Sequence, residues 1–508
     1  MAAARTADEC LALAGTAEQQ GQPGLANECL ARSIALDRNC QAALLMLAGR
    51  TWELGDAVST YVLLEETRRA GMLPTEVEAL LNDLKARFAN EAGLENYRRA
   101  IGAGATTATD RPLGIVLVTN LFPPQELGGY GRMMWEFAHG LIARGHRVRV
   151  LTSTATEFGK APTADEVAME AYVDRSLQLH GTWVGGRPAP VTDRAELVRR
   201  ITANSARLRR AIDEVKPDLV LAGNIDFFGV SILQSAFQAR VPVLHALANA
   251  SPGFSVAEQP REGSYWVAPC SRWNGDIFRQ NGFTPARLET LYPGARIDRF
   301  FRFFLPDVRR LRICYASLVL PYKGADTLVD ALGRLHEAGV DFTAEIAGDG
   351  PDANFLADLR ARIAKRGMDS KVTFTGFLDR HGLASLFARS NVLVFPSVFN
   401  EPFGISQVEA LASGLVVVSS GTGGAKEIIR DGVDGLQFAA GNSAHLAEQL
   451  TRLARDPALM ASLQKQGQAR AAQFSVEQAV LTIERLAAGM LDAQMLAGLN
   501  ELAPLMGA

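Results

Sequence analysis

The sequence lacks several features that would tie a protein to a membrane or to nucleic acid. Within its 508 residues no apolar run approaches the length needed to span a bilayer. Its 52 basic and 55 acidic residues leave a formal net charge of −3, so no broad charged surface favours nucleic acid or anionic lipid. Asp8 and Glu9 come before the apolar segment of a signal peptide could form, which predicts a cytoplasmic protein.

Cysteine is also scarce. The five cysteines, an odd number, form no C-x-x-C pair, which argues against a disulfide framework and against a zinc site. The segment DGVD at 431–434 has acidic residues at a metal-like spacing, but its flanking glycines favour a simple turn. We therefore expect no metal cofactor. The cysteines are expected to be small buried apolar groups: Cys10, Cys29, Cys40, Cys270 and Cys314.

Residues 7–70 contain an internal repeat. Gly21 and Gly55 are 34 residues apart, and small or apolar residues follow each glycine at matching offsets. The spacing resembles the tetratricopeptide repeat, in which paired antiparallel helices stack, and a third, degenerate copy begins near residue 77. We expect an all-α domain at 1–105 that offers a groove to a protein partner or, equally, serves as a packing or dimerisation module. The matched positions are Ala26 with Thr60, Leu30 with Leu64, and Ser33 with Thr67.

From residue 112 the sequence changes to short β-branched runs that alternate with helical segments. Runs such as GIVLVTN and PDLVLAG are almost wholly apolar, which is typical of strands buried on both faces of a parallel sheet. The pattern restarts with LRICYAS at 311. It predicts an α/β fold of two doubly wound, Rossmann-like domains at 110–300 and 308–482, followed by a C-terminal helix at 483–508. Ligands of such sheets bind at the carboxyl ends of the strands.

Two segments between a strand and a helix are candidate diphosphate sites. In NLFPPQELGGYG at 120–131, Gly128 and Gly129 allow backbone N–H groups and a helix N-terminus to approach a phosphate. In LVLPYKGAD, Lys323 follows a strand and precedes a helix, so its ammonium can reach a diphosphate. Each segment also fits a plain interpretation, the first as a strand-to-helix turn and the second as a solvated lysine.

The segment EPFGISQVEALASG at 401–414 places two carboxylates around one helix start. Pro402 disfavours helix at Glu401, which is expected in the loop, whereas Glu409 falls a turn into the helix. The N–H groups of the first turn, from Gly404 to Ser406, are free to bind a ligand. Carboxylates in this arrangement suit hydrogen bonds to the hydroxyls of a sugar and a ribose better than metal binding. The simpler alternative is that Glu409 is an ordinary solvated residue.

Residues 112 to about 485 resemble glycosyltransferases of the GT-B fold and are most similar to family 4, whose members are retaining and use nucleotide-sugars. The resemblance rests on motifs that follow one another in the family's order. They include ARGHRVRVLTS at 143, YPGARIDRFF at 292, PYKGADTLVDALGRL at 321, IAGDGP at 346, VTFTGF at 372 and FPSVFNEPFGISQVEALASG at 395.

The resemblance implies a role for each matching residue. Glu409, the second glutamate of E-x7-E, would bind the ribose, and Glu401 would contact the transferred sugar. Lysine, helix N-termini and backbone donors can neutralise a leaving diphosphate, so the resemblance implies neither a metal nor another cofactor. The other implied contacts are Phe403, Gly404 and Ile405 for the sugar, Lys323, Gly128 and Gly129 for the diphosphate, and Gly376 and Phe377 for the base.

Three positions depart from the family's pattern. Ser317 stands where the family usually has an arginine, so one phosphate ligand is missing. Gly223 and Ala248 stand where many members have histidines, and His245 nearby is expected to be a core histidine instead.

Two asparagines are candidates for the lost sugar contacts, Asn224 and Asn249. With Asn249 included, the catalytic candidates are Glu401, Lys323 and Asn249.

The resemblance thus implies a retaining, metal-independent hexosyltransferase. It would move a sugar from a UDP- or GDP-sugar to a glycan, a lipid-linked glycan or a protein. One alternative is a catalytically weak nucleotide-binding scaffold that acts through its repeats, which the missing ligands permit, although the intact E-x7-E motif, Lys323 and the pair of Gly128 and Gly129 argue against it. Another is a sugar epimerase, but its acid and base carboxylates and histidines cannot be placed in this sequence.

Two basic stretches raise the question of weak peripheral contact with the inner membrane face. They are the helix from residue 194 and RFFRFFLPDVRRLR from residue 299. The simpler interpretation is a solvated face for the first and phenylalanines packed at an interdomain hinge for the second.

Overall fold

The computed structural model describes residues 4, 6–88, 109, 111–126, 128–184, 187–249 and 251–506. The chain divides into two compact units. The first unit consists of Met1–Gly104 and Ala295–Ser475, and the second of Ala105–Gly294 and Val476–Ala508. The helices expected at 1–105 therefore belong to the same compact unit as residues 295–475. The last helix belongs to the same unit as residues 105–294.

The helical region, as the N-terminal part of the first unit is called here, contains five helices within the described residues 6–88. They are α1 (Ala7–Gln19), α2 (Pro23–Leu36), α3 (Gln41–Glu53), α4 (Ala57–Ala70) and α5 (Thr75–Phe88). Thr6 and Glu9 form a capping box that starts α1. Gly21 and Gly55 have positive φ angles of 66° and 75° in the turns that end α1 and α3, a conformation in which glycine carries no steric penalty.

The matched repeat positions are buried between the helices of each pair. The small residues allow the helices to approach closely, and the leucines fill the space between them. The two copies found in the sequence coincide with two successive helix pairs, α1 with α2 and α3 with α4, and their assignment to the tetratricopeptide repeat stays a prediction. Only α5 of the degenerate third copy lies within the described residues. The buried positions are Ala26, Leu30, Ser33, Thr60, Leu64 and Thr67.

The second unit is built on a parallel sheet of seven strands in the order β3-β2-β1-β6-β7-β8-β9. An antiparallel hairpin of β4 and β5 stands apart from it. The strands are β1 (Gly114–Val118), β2 (Arg147–Ser153), β3 (Val173–Leu177), β4 (Gly181–Val184), β5 (Arg187–Pro190), β6 (Leu219–Ala222), β7 (Val243–Leu247), β8 (Tyr265–Pro269) and β9 (Arg287–Leu288). Its helices are α6 (Tyr130–Ala143), α7 (Ala164–Met169), α8 (Arg194–Val215), α9 (Gln234–Gln238) and α10 (Arg272–Gln280).

The central strand of this sheet is buried on both faces. Ile115 and Leu117 pack into one apolar cluster, whereas Val116 and Val118 pack into another on the opposite side. Side chains alternate along a strand, so a strand that serves two cores must be apolar at every position. This is the physical reason for the apolar run recognised in the sequence.

The rest of the first unit repeats this architecture with a parallel sheet in the order β12-β11-β10-β13-β14-β15. Its strands are β10 (Leu311–Ala316), β11 (Phe342–Ala347), β12 (Val372–Gly376), β13 (Val392–Phe395), β14 (Val416–Ser419) and β15 (Leu436–Gln437). Its helices are α11 (Ile297–Phe300), α12 (Ala325–Glu337), α13 (Ala353–Lys365), α14 (Arg380–Arg389), α15 (Ile405–Ala412), α16 (Ser443–Arg455) and α17 (Pro457–Ala471). In each sheet the strand order reverses beside the first strand, and ligands of doubly wound folds bind outside that point. The predicted fold class is confirmed.

The last helix, α18 (Val476–Met506), begins before the predicted boundary and packs on the second unit. Val480 and Ile483 join the apolar cluster on one face of the first sheet. Glu484, fully buried, accepts hydrogen bonds from Arg144 Nε at 2.7 Å and lies 2.8 Å from His146 Nε2. None of the helices in the described ranges is both long and apolar enough to cross a bilayer.

Two further expectations concern buried residues. All five cysteines are free, and four of them are buried, as expected for small apolar groups. In the basic stretch from 299, Phe300, Phe301 and Arg302 are buried within the first unit. Two of its four phenylalanines are thus packed in the interior, as the simpler interpretation expects, and its placement at an interdomain hinge stays a prediction.

Candidate active site

In the first unit, loops from the carboxyl ends of several strands are held close together by glycines. A Cβ atom on Gly348, after β11, would overlap the carbonyl oxygen of Ser317, after β10. A Cβ atom on Gly324 would likewise overlap the carbonyl oxygen of Pro396, after β13. Only glycine permits this approach, so the loops form one surface at the end of the sheet.

On that surface Lys323 and Glu401 form an ion pair. Lys323 Nζ lies 2.6 Å from Glu401 Oε1, and Ser397 Oγ donates a hydrogen bond of 2.8 Å to the same oxygen. The Lys323 side chain is 19% exposed and its ammonium is flanked by the rings of Tyr322 and Phe399, at 5.7 and 6.0 Å from their centroids. The pair therefore places a partly shielded cation where an anionic ligand can compete with Glu401 for it.

The loop after Glu401 turns directly into α15. Gly404 caps the helix with a positive φ of 107°, and Ile405 is its first residue. The Gln407 N–H donates to the Gly404 carbonyl oxygen at 3.1 Å, whereas Ile405 and Ser406 come too early in the helix to have an intrahelical carbonyl partner, so their N–H groups can meet a ligand oxygen. Phe403 is buried and its ring packs edge-on against Phe474 at 5.6 Å, so its side chain fixes the loop.

Glu409 lies on α15, and its side chain is 1% exposed. Its Oε1 atom is 2.7 Å from Nη1 of Arg380, the first residue of α14. Burial raises the pKa of Glu409 above its ordinary value, and Arg380 opposes that rise. The Arg380 guanidinium also lies over the ring of Phe300, 5.3 Å from its centroid. Glu409 is thus not the solvated helix residue of the simpler interpretation.

The positions expected beside a base lie after β12. Gly376 has a positive φ of 71°, and the Phe377 side chain is 67% exposed. The Phe377 N–H donates to Asp349 Oδ2 at 3.1 Å, which fixes the turn. An exposed aromatic ring at the end of a parallel strand offers a flat ligand a stacking surface.

The two predicted glycines of the second unit begin α6. Gly128 has a positive φ of 73°, and Gly129 is the residue that caps the helix. Both are exposed, and a Cβ atom on either would meet no neighbouring atom. Space is therefore left at this helix N-terminus for a group that approaches the backbone.

Asn249 belongs to a polar cluster in the second unit at the carboxyl ends of β1, β6 and β7. Its Nδ2 donates to Asp226 Oδ2 at 3.4 Å. Asp226 N donates to Asn224 Oδ1 at 2.9 Å, and Asn120 Nδ2 donates to the Asp226 carbonyl oxygen at 3.4 Å. Burial raises the pKa of Asp226, although the hydrogen bond from Asn224 opposes it. The cluster gathers acceptors and donors where the strand order reverses, which suits a polyhydroxylated ligand.

The departures from the family's pattern have structural counterparts. At Gly223 a Cβ atom would lie 2.7 Å from the Met134 side chain, so Met134 fills the space that a histidine would need. His245 is buried and its Nδ1 lies 2.8 Å from the Tyr265 hydroxyl, as expected for a core histidine. Burial lowers the pKa of His245 to about 4, which keeps the ring neutral near pH 7.

Sequence reasoning missed three residues of this arrangement. Arg380 stands four positions after the VTFTGF strand ends at Gly376, and Asp226 stands four positions after β6 ends. Charged residues a few positions beyond the end of a parallel strand are a signal that could have found both. Ser397 carries no such signal, because a serine in a loop is common.

Two protein-family models match consecutive parts of the chain. The model described as Glycosyltransferase Family 4 matches residues 127–299, and the model described as Glycosyl transferases group 1 matches residues 297–470.

Curated relatives match different shares of the chain. A 2-deoxystreptamine glucosyltransferase of Streptomyces kanamyceticus is 34% identical over 179 residues, 35% of this chain and 45% of that protein. A D-inositol 3-phosphate glycosyltransferase of Mycolicibacterium paratuberculosis is 31% identical over 207 residues, 38% and 45% of the two chains. The chain thus spans less than half the length of these two. A glycogen synthase of Mycobacterium tuberculosis is 27% identical over 362 residues, 68% of this chain and 86% of the synthase.

Solved structures share the fold. The Anabaena protein HepE, crystallised in complex with UDP, aligns with a TM-score of 0.59 and 23% identity, over 74% of this chain and 100% of that one. A sucrose-phosphate synthase from Thermosynechococcus elongatus aligns with a TM-score of 0.56 and 19% identity, over 75% and 99% of the two chains. At these identities the likeness concerns the architecture alone.

Proposed function

Because the chain carries the two consecutive domains of a GT-B glycosyltransferase, we propose that it transfers a hexose from a nucleotide-sugar to an acceptor with retention of configuration. The observation that carries this proposal is the arrangement in the first unit. There the pair of Lys323 and Glu401 and the pair of Glu409 and Arg380 stand around one helix, α15. A cation and two carboxylates around a helix N-terminus suit a diphosphate that joins two polyhydroxylated groups.

Each residue has a definite role in the proposal. Lys323 binds the diphosphate and balances the negative charge that grows on it as the sugar leaves. Glu401, released from Lys323, accepts hydrogen bonds from hydroxyls of the transferred sugar, and first-turn N–H groups of α15 donate hydrogen bonds to its oxygens. Glu409 accepts hydrogen bonds from the ribose hydroxyls, and Asn249 of the second unit is retained as a sugar contact.

The same groups support a reaction without a metal ion or a protein nucleophile. Lysine and helix N-terminal amides stabilise a leaving diphosphate, which is the task that a metal would otherwise perform. In a retaining displacement of this kind the departing diphosphate takes the proton of the acceptor hydroxyl. The acceptor oxygen then forms the new glycosidic bond on the face that the diphosphate left.

The acceptor is left as a class. The relatives described above are named for a glucosyltransferase acting on 2-deoxystreptamine, a glycosyltransferase acting on inositol phosphate, and a synthase of glycogen. For this chain we propose a glycan, a lipid-linked glycan or a protein, and a cytoplasmic location belongs to the same proposal.

A nucleotide panel tests the proposal. We expect UDP or GDP, and more strongly one of their hexose conjugates, to raise the melting temperature of the purified protein and to be hydrolysed slowly without an acceptor. ADP and ADP-glucose serve as comparison ligands. If no nucleotide shifts the melting temperature, the absence of an arginine at Ser317 is decisive, and the interpretation as a scaffold replaces that of a transferase.

The raised pKa of Glu409 gives a pH-dependent prediction. A carboxyl whose pKa lies above the ordinary 4.5 takes up its proton at a higher pH than a usual glutamate. Nucleotide affinity should therefore fall as the pH is lowered from neutral through the raised pKa of Glu409, because a neutral carboxyl accepts ribose hydrogen bonds more weakly than a carboxylate and one of its oxygens becomes a donor. Protonation favours the folded state here, so this group's contribution to stability is present at low pH and is lost as the pH rises through the raised pKa.

The measurement is the dissociation constant of UDP or GDP across that pH range. The Glu409→Gln variant is the control, since it retains the ionisation of the nucleotide phosphates but not that of the carboxyl. The same pH profile in both proteins would contradict the assignment of Glu409 to the ribose.

A further inference from the structure

Within the first unit, a buried arginine joins the helical region to the domain built on the sheet of β10 to β15. Arg38 follows α2 and is 1% exposed. Its guanidinium donates to four backbone carbonyl oxygens, which lie far away along the chain. These are the carbonyls of Phe387 at 2.8 Å, Ala388 at 3.2 Å, Phe304 at 3.3 Å and, at close contact, Ser413.

These carbonyls place the charge of Arg38 at the ends of two helices. Phe387 and Ala388 belong to the last turn of α14, and Ser413 ends α15. The carboxyl end of a helix carries a partial negative charge and unpaired carbonyls, so a cation there is stabilised by both. Burial lowers the pKa of Arg38 to about 9, which leaves the guanidinium charged at neutral pH.

The same two helices carry the proposed ribose site, at the opposite end of α14 and one turn before the end of α15. Arg380 is the first residue of α14, Glu409 lies on α15, and the two side chains meet at 2.7 Å. With ten and eight residues, the helices are about 15 and 12 Å long. A packed helix moves as a rigid rod over such a length, so fixing the carboxyl ends also fixes Arg380 at the far end of α14 and Glu409 one turn away on α15.

A second contact from the helical region lies beneath the pair of Arg380 and Glu409. Glu66 on α4 accepts hydrogen bonds from Arg302 Nη1 at 3.1 Å and from Phe303 N at 2.8 Å, and both charged side chains are 1% exposed. The adjoining Phe300 lies beneath the Arg380 guanidinium. The Phe300 carbonyl oxygen accepts a hydrogen bond of 2.9 Å from the Ser413 hydroxyl. The segment beneath the ribose site is therefore tied to the helical region as well.

We infer that Arg38 is a positioning residue for nucleotide binding, through which the helical region holds α14 and α15 so that Arg380 and Glu409 meet the ribose. The inference rests on the proposed function and extends it, because it makes the N-terminal helices part of the nucleotide site. Helices that only offered a groove to a partner would not need to bury an arginine between two helix ends of the sheet beside them.

Arginine-to-methionine variants at two positions test the inference. Arg38→Met retains an apolar side chain of similar length but loses the four hydrogen bonds and the charge. Arg50→Met is the matched control, because Arg50 pairs with Glu18 and Asn27 inside the helical region. Both changes should lower the melting temperature. Only Arg38→Met should raise the dissociation constant of UDP or GDP, by about tenfold, as expected when a contact group is misplaced by a fraction of an ångström.

A cycle with Glu409→Gln separates positioning from general damage. If Arg38 acts through Glu409, Arg38→Met should cause little further loss of nucleotide affinity in the Glu409→Gln background. Equal losses in both backgrounds, or an unchanged dissociation constant in Arg38→Met, would overturn the positioning role. Should Arg38→Met not fold, Arg38→Lys takes its place with a smaller loss expected and the same contrary outcomes. A wild-type protein that binds neither nucleotide overturns the proposed function itself, and with it this inference.

Discussion

Replacing Lys323 by methionine is expected to lower kcat by about 100- to 1,000-fold, the range found when one preorganised donor to a developing negative charge is removed. The ammonium is partly shielded from water, with the rings of Tyr322 and Phe399 beside it. A charge in such surroundings interacts more strongly with a diphosphate than an exposed lysine does. The effect should be larger on kcat than on KM, because the charge of the diphosphate grows as the glycosidic bond breaks.

The measurement is the initial rate of transfer or, without an acceptor, of nucleotide-sugar hydrolysis. Lys371→Met is the matched control, because Lys371 also stands over an aromatic ring, that of Phe342, but outside the site. In the single variant Glu401 is left as a buried charge without its cationic partner, and the double variant Lys323→Met/Glu401→Gln removes that charge. Comparing the melting temperatures of the two variants shows whether the unpaired carboxylate lowers stability. A kcat within about threefold of wild type would refute the role of Lys323 in the leaving step.

Much of the fold and part of the site could be predicted from local pattern. Strands such as β1 contribute side chains to two cores and must be apolar throughout, so a short, wholly apolar segment of the sequence predicts them. Lys323 and Glu401 each follow such a strand, and parallel strands bring their carboxyl ends to one edge of the sheet. The pair could therefore be expected from two separate segments of the sequence.

The remaining contacts join residues that are distant along the chain, and local pattern does not record them. Arg38 meets Ala388 across 350 positions, and neither residue has a distinctive neighbourhood in the sequence. Gly223 is another example, because its lack of a side chain is matched by Met134 on α6, and only the packed structure shows that match. The repeat was recognised from its own period, but its attachment to the second sheet depends on such distant pairs.

Replacing Glu409 by alanine should weaken the binding of UDP or GDP by about 10- to 150-fold. A charged acceptor contributes about 1.5 to 3 kcal/mol to a hydrogen bond, and the buried carboxylate has no water to take its place. Arg380 is 40% exposed and can remain solvated after the change, so the loss should appear in nucleotide affinity more than in folding. Isothermal titration of the variant with each nucleotide measures the loss directly.

The control for this experiment is a second ion pair of α14, at the end of that helix opposite to Arg380. Glu345 pairs with Arg389, the last residue of α14, at 2.7 Å, so Glu345→Ala removes a carboxylate from an arginine of α14 away from the proposed ribose site. If both changes weaken nucleotide binding equally, the effect follows from the placement of α14, and Glu409 is not a ligand. If only Glu409→Ala does so, the carboxylate itself contacts the ribose, and the role of α14, fixed at its far end by Arg38, is to hold Arg380 beside it.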